Sequence, residues 1–265
     1  MLIRYFIINS KSKPVVIAQI SDCHLFAQID AKHHGQVVYE NLLRVFKALS
    51  TVDYLDCIVF TGDLTQDHST ASYQLFLQAF NYAVLEFDLG CELYWLAGNH
   101  DEIDLLASEL THPQIKIAKQ IELESWQLIL VNSKSETPAG VVSAQELIRM
   151  EQLSASKTSL VFMHHHPIDV NYFIDKHGLI NKMEFWQKVN RCKNVRAIFH
   201  GHVHRGITID KSIEFKVPVY ACPATSIQFD PNCETVSALA QGPGFRLINL
   251  NANNTFSTEL VYLEQ

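Results

Sequence analysis

Val15-Val16-Ile17-Ala18-Gln19-Ile20-Ser21-Asp22-Cys23-His24 is the stretch from which the fold can be read. A short apolar run rich in β-branched residues is a strand candidate, and it stops at a carboxylate and an imidazole separated by one residue. The same arrangement recurs along the chain. Cys57 to Thr61 runs into Gly62-Asp63, and Leu93 to Ala97 runs into Gly98-Asn99-His100-Asp101. Ser159 to Met163 delivers His164-His165-His166-Pro167, and Val195 to Phe199 delivers His200-Gly201-His202-Val203-His204. In an open α/β sheet the carboxyl ends of the strands lie along one edge, so these five clusters are expected to meet in a single crevice.

Between the strands lie helical patterns. Leu42, Val45, Phe46 and Leu49 share one face of a helix, as do Tyr73, Leu77, Phe80 and Val84. Ser143 followed by Glu146 is a capping box that opens a third helix through Leu147, Met150 and Leu153, and a fourth is expected over Lys182 to Arg191. Trp126 to Asn132, Val217 to Ala221 and Phe245 to Leu250 add strands, so strands dominate the final third. With no internal repeat and no Gly- or Pro-rich linker, residues 1–265 are expected to form one α/β sandwich domain.

The 265 residues are 48% hydrophobic and 18% charged, the balance of a globular chain. A net charge of −7 repels nucleic acid phosphates and anionic lipid, so neither is an expected partner. The apolar run Tyr5 to Ile8 is too short for a signal peptide core, and no stretch is long enough to span a membrane. A cytoplasmic protein is expected. The six cysteines contain no C-x-x-C pair and read as reduced core thiols, Cys23 among them because strand alternation turns it away from Asp22 and His24.

The donor types narrow the chemistry. Imidazoles with two carboxylates and an amide oxygen suit Mn, Fe or Zn rather than a sulfur site. Asp22 and His24, like His202 and His204, are one residue apart, so extended backbone would point both members of each pair the same way. At least one of His164, His165 and His166 joins them. Seven ligands are too many for one tetrahedral ion, whereas two ions sharing a carboxylate would use all of them. Asp63, the sole carboxylate at its strand end, is the choice for the bridge. His33, His34, His68, His112 and His177 fall in helical or loop stretches away from the strand ends and are read as structural.

The ordered set D-x-H, G-D, G-N-H-D, H-H-H-P and G-H-x-H resembles the calcineurin-like metallophosphoesterase superfamily. Within it the chain is most similar to the bacterial class III 3′,5′-cyclic AMP phosphodiesterases. That closer likeness rests on Gln19 to Ala27, Gly62 to Asp67, Trp95-Leu96, Ala224 to Phe229 and Gly242 to Arg246. The resemblance implies a four-layer αββα sandwich of mixed sheets with a dinuclear metal site at strand ends. It assigns Asp22, His24, Asp63 and His204 to one ion and Asp63, Asn99, His164 and His202 to the other, the ions being iron, manganese or both. Ala97 is a departure, since relatives often carry Pro there.

From this follows an expected reaction, hydrolysis of cyclic AMP to 5′-AMP by a metal-bridged hydroxide. His24, Asp63, Asn99, His164 and His204 would lie against the phosphate. His100 would give the leaving oxygen its proton, and Asp101 would keep the His100 imidazole charged. A nuclease would need a basic track that this acidic chain lacks. A Ser/Thr phosphatase would follow G-D with an Arg-bearing segment, and the lipid-pathway pyrophosphatases carry Arg where His100 stands. A non-catalytic scaffold of the same fold would have lost ligands, and none is lost.

Overall fold

The computed structural model describes residues 14–152 and 156–265, so the Tyr5 to Ile8 run and Leu153 lie outside the described residues. The chain starts with β1 (Val15–Ile20), a small hairpin of β2 (Lys32–His33) and β3 (Gln36–Val37), α1 (Val38–Ser50) and β4 (Leu55–Phe60). It continues through α2 (Thr70–Glu86), β5 (Glu92–Trp95), α3 (Ile103–Glu109), β6 (Ile115–Lys116), β7 (Gln120–Leu123), β8 (Trp126–Leu130), α4 (Ala144–Glu151) and β9 (Thr158–Met163). A 3-10 turn at Phe173–His177 precedes α5 (Lys182–Val189), β10 (Val195–His200), β11 (Ile207–Ile209), β12 (Val219–Ala221), β13 (Gly244–Leu250) and β14 (Phe256–Tyr262).

Two six-stranded sheets result, ordered β14-β13-β1-β4-β5-β6 and β11-β12-β10-β9-β8-β7. In the first, β1, β4, β5 and β6 are parallel, β13 runs against them, and β14 at the edge runs against β13. In the second, β8, β9, β10 and β12 are parallel, flanked by antiparallel β7 and β11. Strand alternation explains the layering. Ile17, Val59, Leu128, Leu160, Phe162, Phe199 and Ile248 fill the space between the sheets. Their neighbours Ala18, Ile20, Ile58, Phe60 and Leu93 point the other way, onto Leu42, Phe46, Phe76 and Phe80 of α1 and α2. On the far side Ile129, Val161, Met163 and Ile198 meet Leu147, Met150, Phe185 and Trp186 of α4 and α5. This is the expected αββα order. Strands buried on both faces need continuous apolar sequence, which is why they are visible in it.

Local signals decide several boundaries. The Ser143 side chain accepts from the Glu146 backbone N–H at 3.2 Å, as the capping box requires, and Ser69 caps α2 through Ser72 in the same way. The strand expected from Val217 begins only at Val219, because Pro218 has no N–H for the ladder. β14 was not foreseen: an outer strand with alternating half-buried and exposed residues lacks an apolar run. Among the described residues no helix is long and apolar enough to cross a membrane.

Candidate metal centre

The carboxyl ends of β1, β4 and β5 in one sheet and of β9 and β10 in the other open onto one crevice, and all seven expected ligands come together there. Asp22, His24, Asp63, His164, His202 and His204 are at most 4% exposed, and Asn99 is half-buried. The segments carrying them are tied to each other. Asp22 N–H donates to Gly62 O and His24 N–H to Asp63 O, while the Asp22 carboxylate accepts from His202 N–H at 3.1 Å.

The expected extended backbone is not what aims the pairs. Asp22, His24, Asp63, His202 and His204 all have positive φ, between 47° and 69°. Left-handed backbone at non-glycine residues is costly and is kept where the surrounding contacts fix it, typically at functional sites. Here each strand turns sharply as it leaves the sheet, which brings side chains from both sheets onto one point. The turns are packed backbone to backbone. A Cβ on Gly98 would lie 2.2 Å from Asp63 Oδ1, and one on Gly62 would lie 2.4 Å from Gly98 N.

Two overlapping groups are visible. His24 Nε2 lies 3.0 Å from His204 Nε2 and 3.6 Å from Asp63 Oδ2, and His204 Nε2 is 3.4 Å from Asp22 Oδ1. On the other side His164 Nε2 lies 3.3 Å from the same Asp63 Oδ2, 3.1 Å from Asn99 Oδ1 and 3.2 Å from His202 Nδ1. Asp63 Oδ2 therefore sits between the groups.

The donor set fits cations. His204 Nδ1 faces Ile227 O and His164 Nδ1 faces Thr61 O, and a carbonyl only accepts, so both nitrogens carry their proton. In a neutral ring the Nε2 is then a lone pair. Such lone pairs converge with carboxylate and amide oxygens, an arrangement that repels itself until positive charge enters, as a proton on His164 or as a metal ion. Burial drives His24 and His202 well below the ordinary imidazole range and His204 down to about 3, which keeps those rings neutral and able to ligate. Burial also pulls on His164, but the Asp63 and Asp22 carboxylates outweigh it and push that ring up to about 9. Asp22 rises to about 7 through burial, against the pull of His164 and with the Asp63 charge adding to it. Asp63 is held well below the usual carboxylate range despite burial, because the His164, His100 and His24 rings surround it.

His100 stands on the wall. Its backbone N–H donates to Asp63 Oδ1 at 2.9 Å, and its ring meets His24 edge-on at 4.9 Å. Asp101 does not do what was expected of it. Its carboxylate accepts from the backbone N–H groups of Asp63, Leu64 and Gly98 at 2.7 to 2.8 Å, so it clamps the two ligand turns together and is not paired with the His100 imidazole. The physical reason is burial: a fully enclosed carboxylate takes the donors nearest to it.

His165 hydrogen-bonds Ser133 and the Pro138 carbonyl, and His166 pairs with Asp175 at 3.2 Å, so neither faces the Asp63 oxygens. Cys23 is buried in the helix-side core, and burial raises its thiol far above the range where a thiolate forms. His33, His68 and His177 are expected away from the site, but the structure brings all three to it, His177 as part of the cavity lining. The His33 ring stacks on His24 at 5.4 Å and His68 stacks on His100 at 5.7 Å. A usable signal was present: both follow a strand-end ligand by fewer than ten residues and so emerge on the same edge. Phe229, the end of the Ala224 to Phe229 segment that carries the family likeness, stacks flat on His204 at 3.8 Å.

A family model described as calcineurin-like phosphoesterase matches residues 15–206. The chain belongs to the calcineurin-like phosphoesterase family. This phosphoesterase is 47% identical over 260 residues, 96% of its own length and 97% of the relative's, to the protein named "Probable cyclic nucleotide phosphodiesterase" in Colwellia psychrerythraea. It is 32% identical over 253 residues, 93% of its own length and 89% of the relative's, to the 3′,5′-cyclic adenosine monophosphate phosphodiesterase CpdA of Escherichia coli K12. Among solved structures, a dimetal phosphatase from Danio rerio superposes with a TM-score of 0.60 at 11% identity, covering 95% of this chain and 99% of that one, which shows the shared fold. The phosphoesterase is thus a hydrolase, and its metal-type clusters are those of a family that works with two divalent ions.

Proposed function

We propose that the chain hydrolyses 3′,5′-cyclic AMP to 5′-AMP with two divalent cations, iron, manganese or both. Asp22, His24, Asp63 and His204 would hold one ion, and Asp63, Asn99, His164 and His202 the other. The observation that carries this is the convergence of buried acceptor atoms on Asp63 Oδ2 from both sides, together with the likeness to relatives named for cyclic nucleotide hydrolysis. When bound, the ions supply charge that binds phosphate and acidifies water.

The chain's own groups do the rest. A cavity of about 320 Å³ opens over His24, Asp63, Asn99, His202 and His204, a size that admits a small nucleotide. His24, Asp63, Asn99, His164 and His204 form the surface against which the phosphate lies. His100, on the wall of this cavity, is the acid that hands a proton to the departing 3′ oxygen. Asp63 Oδ1 fixes the backbone of that residue, and Asp101 fixes the turn, so the proton donor and the phosphate floor move as one unit. A compact diester with one negative charge needs no basic channel, which agrees with the acidic chain.

The test is hydrolysis by the purified protein loaded with Mn or with Fe. Formation of 5′-AMP from cyclic AMP is expected, with cyclic GMP cleaved as well. No 5′-AMP in either metal, beside robust cleavage of single-stranded DNA, would overturn the reading.

A further inference from the structure

The cavity has two unlike ends. One is the polar floor already described. The other is formed by Phe173, Ile174, Lys176 and His177 of the 3-10 turn, with Thr235 and Val236 opposite. Phe229, beside it, has one face flat against His204 and Phe173 tilted over it at 5.3 Å, and only 5% of the residue is exposed. It lines the cavity, but little of the ring is left open for a ligand. Phe173 is half-buried and, unlike Phe229, has ring surface to offer. Lys176 Nζ hangs over that ring at 5.8 Å from its centre, on an exposed stem.

This end is built. Both carboxylate oxygens of Asp175 are used inside the turn, accepting from Val170 N–H and Asn171 N–H at 2.8 Å, and the same group pairs with buried His166. The Tyr172 hydroxyl donates to Val203 O, between ligands His202 and His204. The 3-10 turn is therefore fastened to the β10 ligand loop, and Asp63 is the only carboxylate lining the cavity. A π face and an exposed cation, beside a carboxylate already engaged inside its own turn, suit a flat, electron-rich heterocycle.

Taking the cyclic nucleotide reading as its basis, we propose that Phe173 is the base-stacking residue of this enzyme and that Lys176 swings over the stacked base. With the phosphate on the floor, the nucleoside extends toward the 3-10 turn and the base lies on the Phe173 ring. The ring accepts any purine, and a lysine donor finds an acceptor on adenine and on guanine alike. The subsite therefore selects for the presence of a base and hardly for its identity.

The experiment compares wild type, Phe173→Leu, Phe173→Trp and Lys176→Gln on cyclic AMP, cyclic GMP and the abasic ribose cyclic phosphate. Phe173→Leu keeps apolar volume but removes the π face. It is expected to raise KM for both nucleotides about 10-fold with kcat within about 2-fold, and to leave the abasic diester unchanged. Phe173→Trp restores the nucleotide KM, which separates a lost stack from a damaged fold. Lys176→Gln raises the nucleotide KM about 3-fold. The Kd for 5′-AMP, measured by calorimetry, moves in step with KM. Equal changes on the abasic diester, or an unmoved nucleotide KM in Phe173→Leu, would overturn the stacking role. A wild type that turns over no cyclic nucleotide would instead sink the reading beneath it.

Discussion

The floor and the rim of the cavity are built by opposite means. Floor residues sit at the ends of buried strands, five of the seven in left-handed backbone, and six of the seven are at most 4% exposed. The rim is a short 3-10 turn facing a loop, with Lys176 and Val236 open to solvent. A floor so constrained can hold ions and a proton donor to a fraction of an ångström. A rim so open can adjust to what lies beyond the phosphate. The difference teaches that chemistry and selectivity are separable here: damage to the floor should appear in kcat and metal content, damage to the rim in KM alone.

The strongest challenge to that division is Asp63→Asn. Its Oδ2 lies between the two groups of ligands, so activity is expected to fall to background with loss of bound metal, more than for any other single ligand. Elemental analysis checks it, and a variant that kept both ions and most of its rate would break the contrast. Chelation of the wild type should be equally complete and be reversed by Mn or Fe.

His100→Ala comes next, with kcat down by ~10²–10⁴ and metal content nearly intact. A diester with a p-nitrophenolate leaving group should lose far less, since that group departs without a proton. Equal losses on both substrates would make His100 a binding residue.

Asp101→Asn separates clamping from charge. An amide cannot accept from three backbone N–H groups with the same strength, so metal affinity and kcat are expected to drop about 10–100-fold together. A change confined to the acidic limb of the pH–rate profile would instead return Asp101 to the role of charge partner for His100.

Metal affinity should also fall as pH falls. His164, raised to about 9, and Asp22, raised to about 7, carry protons in the metal-free protein near neutrality. Both must lose them to ligate, so loading releases protons and weakens below pH 7. Calorimetry in buffers of different ionisation enthalpy measures that release, and a buffer-independent heat would contradict it.

The smallest effect belongs to the rim. Val236→Ala, at an exposed position, should change KM by less than ~3-fold and stability by no more than about 0.5 kcal/mol, as read from kinetics and thermal melts.

How much was legible follows from the same contrast. Strands such as β1 and β9 are buried on both faces, so their apolar runs are continuous and end where polar ligands begin. The capping box at Ser143 was equally plain. β14 hid because an outer strand is free to alternate, and Phe173 hid because a short turn carries no periodicity to mark which side chains meet.

By itself, the sequence marked the buried strands and the edge at which donor-type residues gather, while the family resemblance supplied the two-sheet arrangement and the choice of His164 from its triplet. Strands and donors depend on burial and on chemical type, which are written residue by residue. Only the tertiary structure decided how the donors are aimed, that Asp101 clamps backbone instead of serving His100, and that an aromatic ring and a lysine from a distant turn close the far end of the cavity. Each of these depends on left-handed turns and on contacts between segments far apart in the chain, and neither leaves a local pattern because both arise only when the two sheets pack.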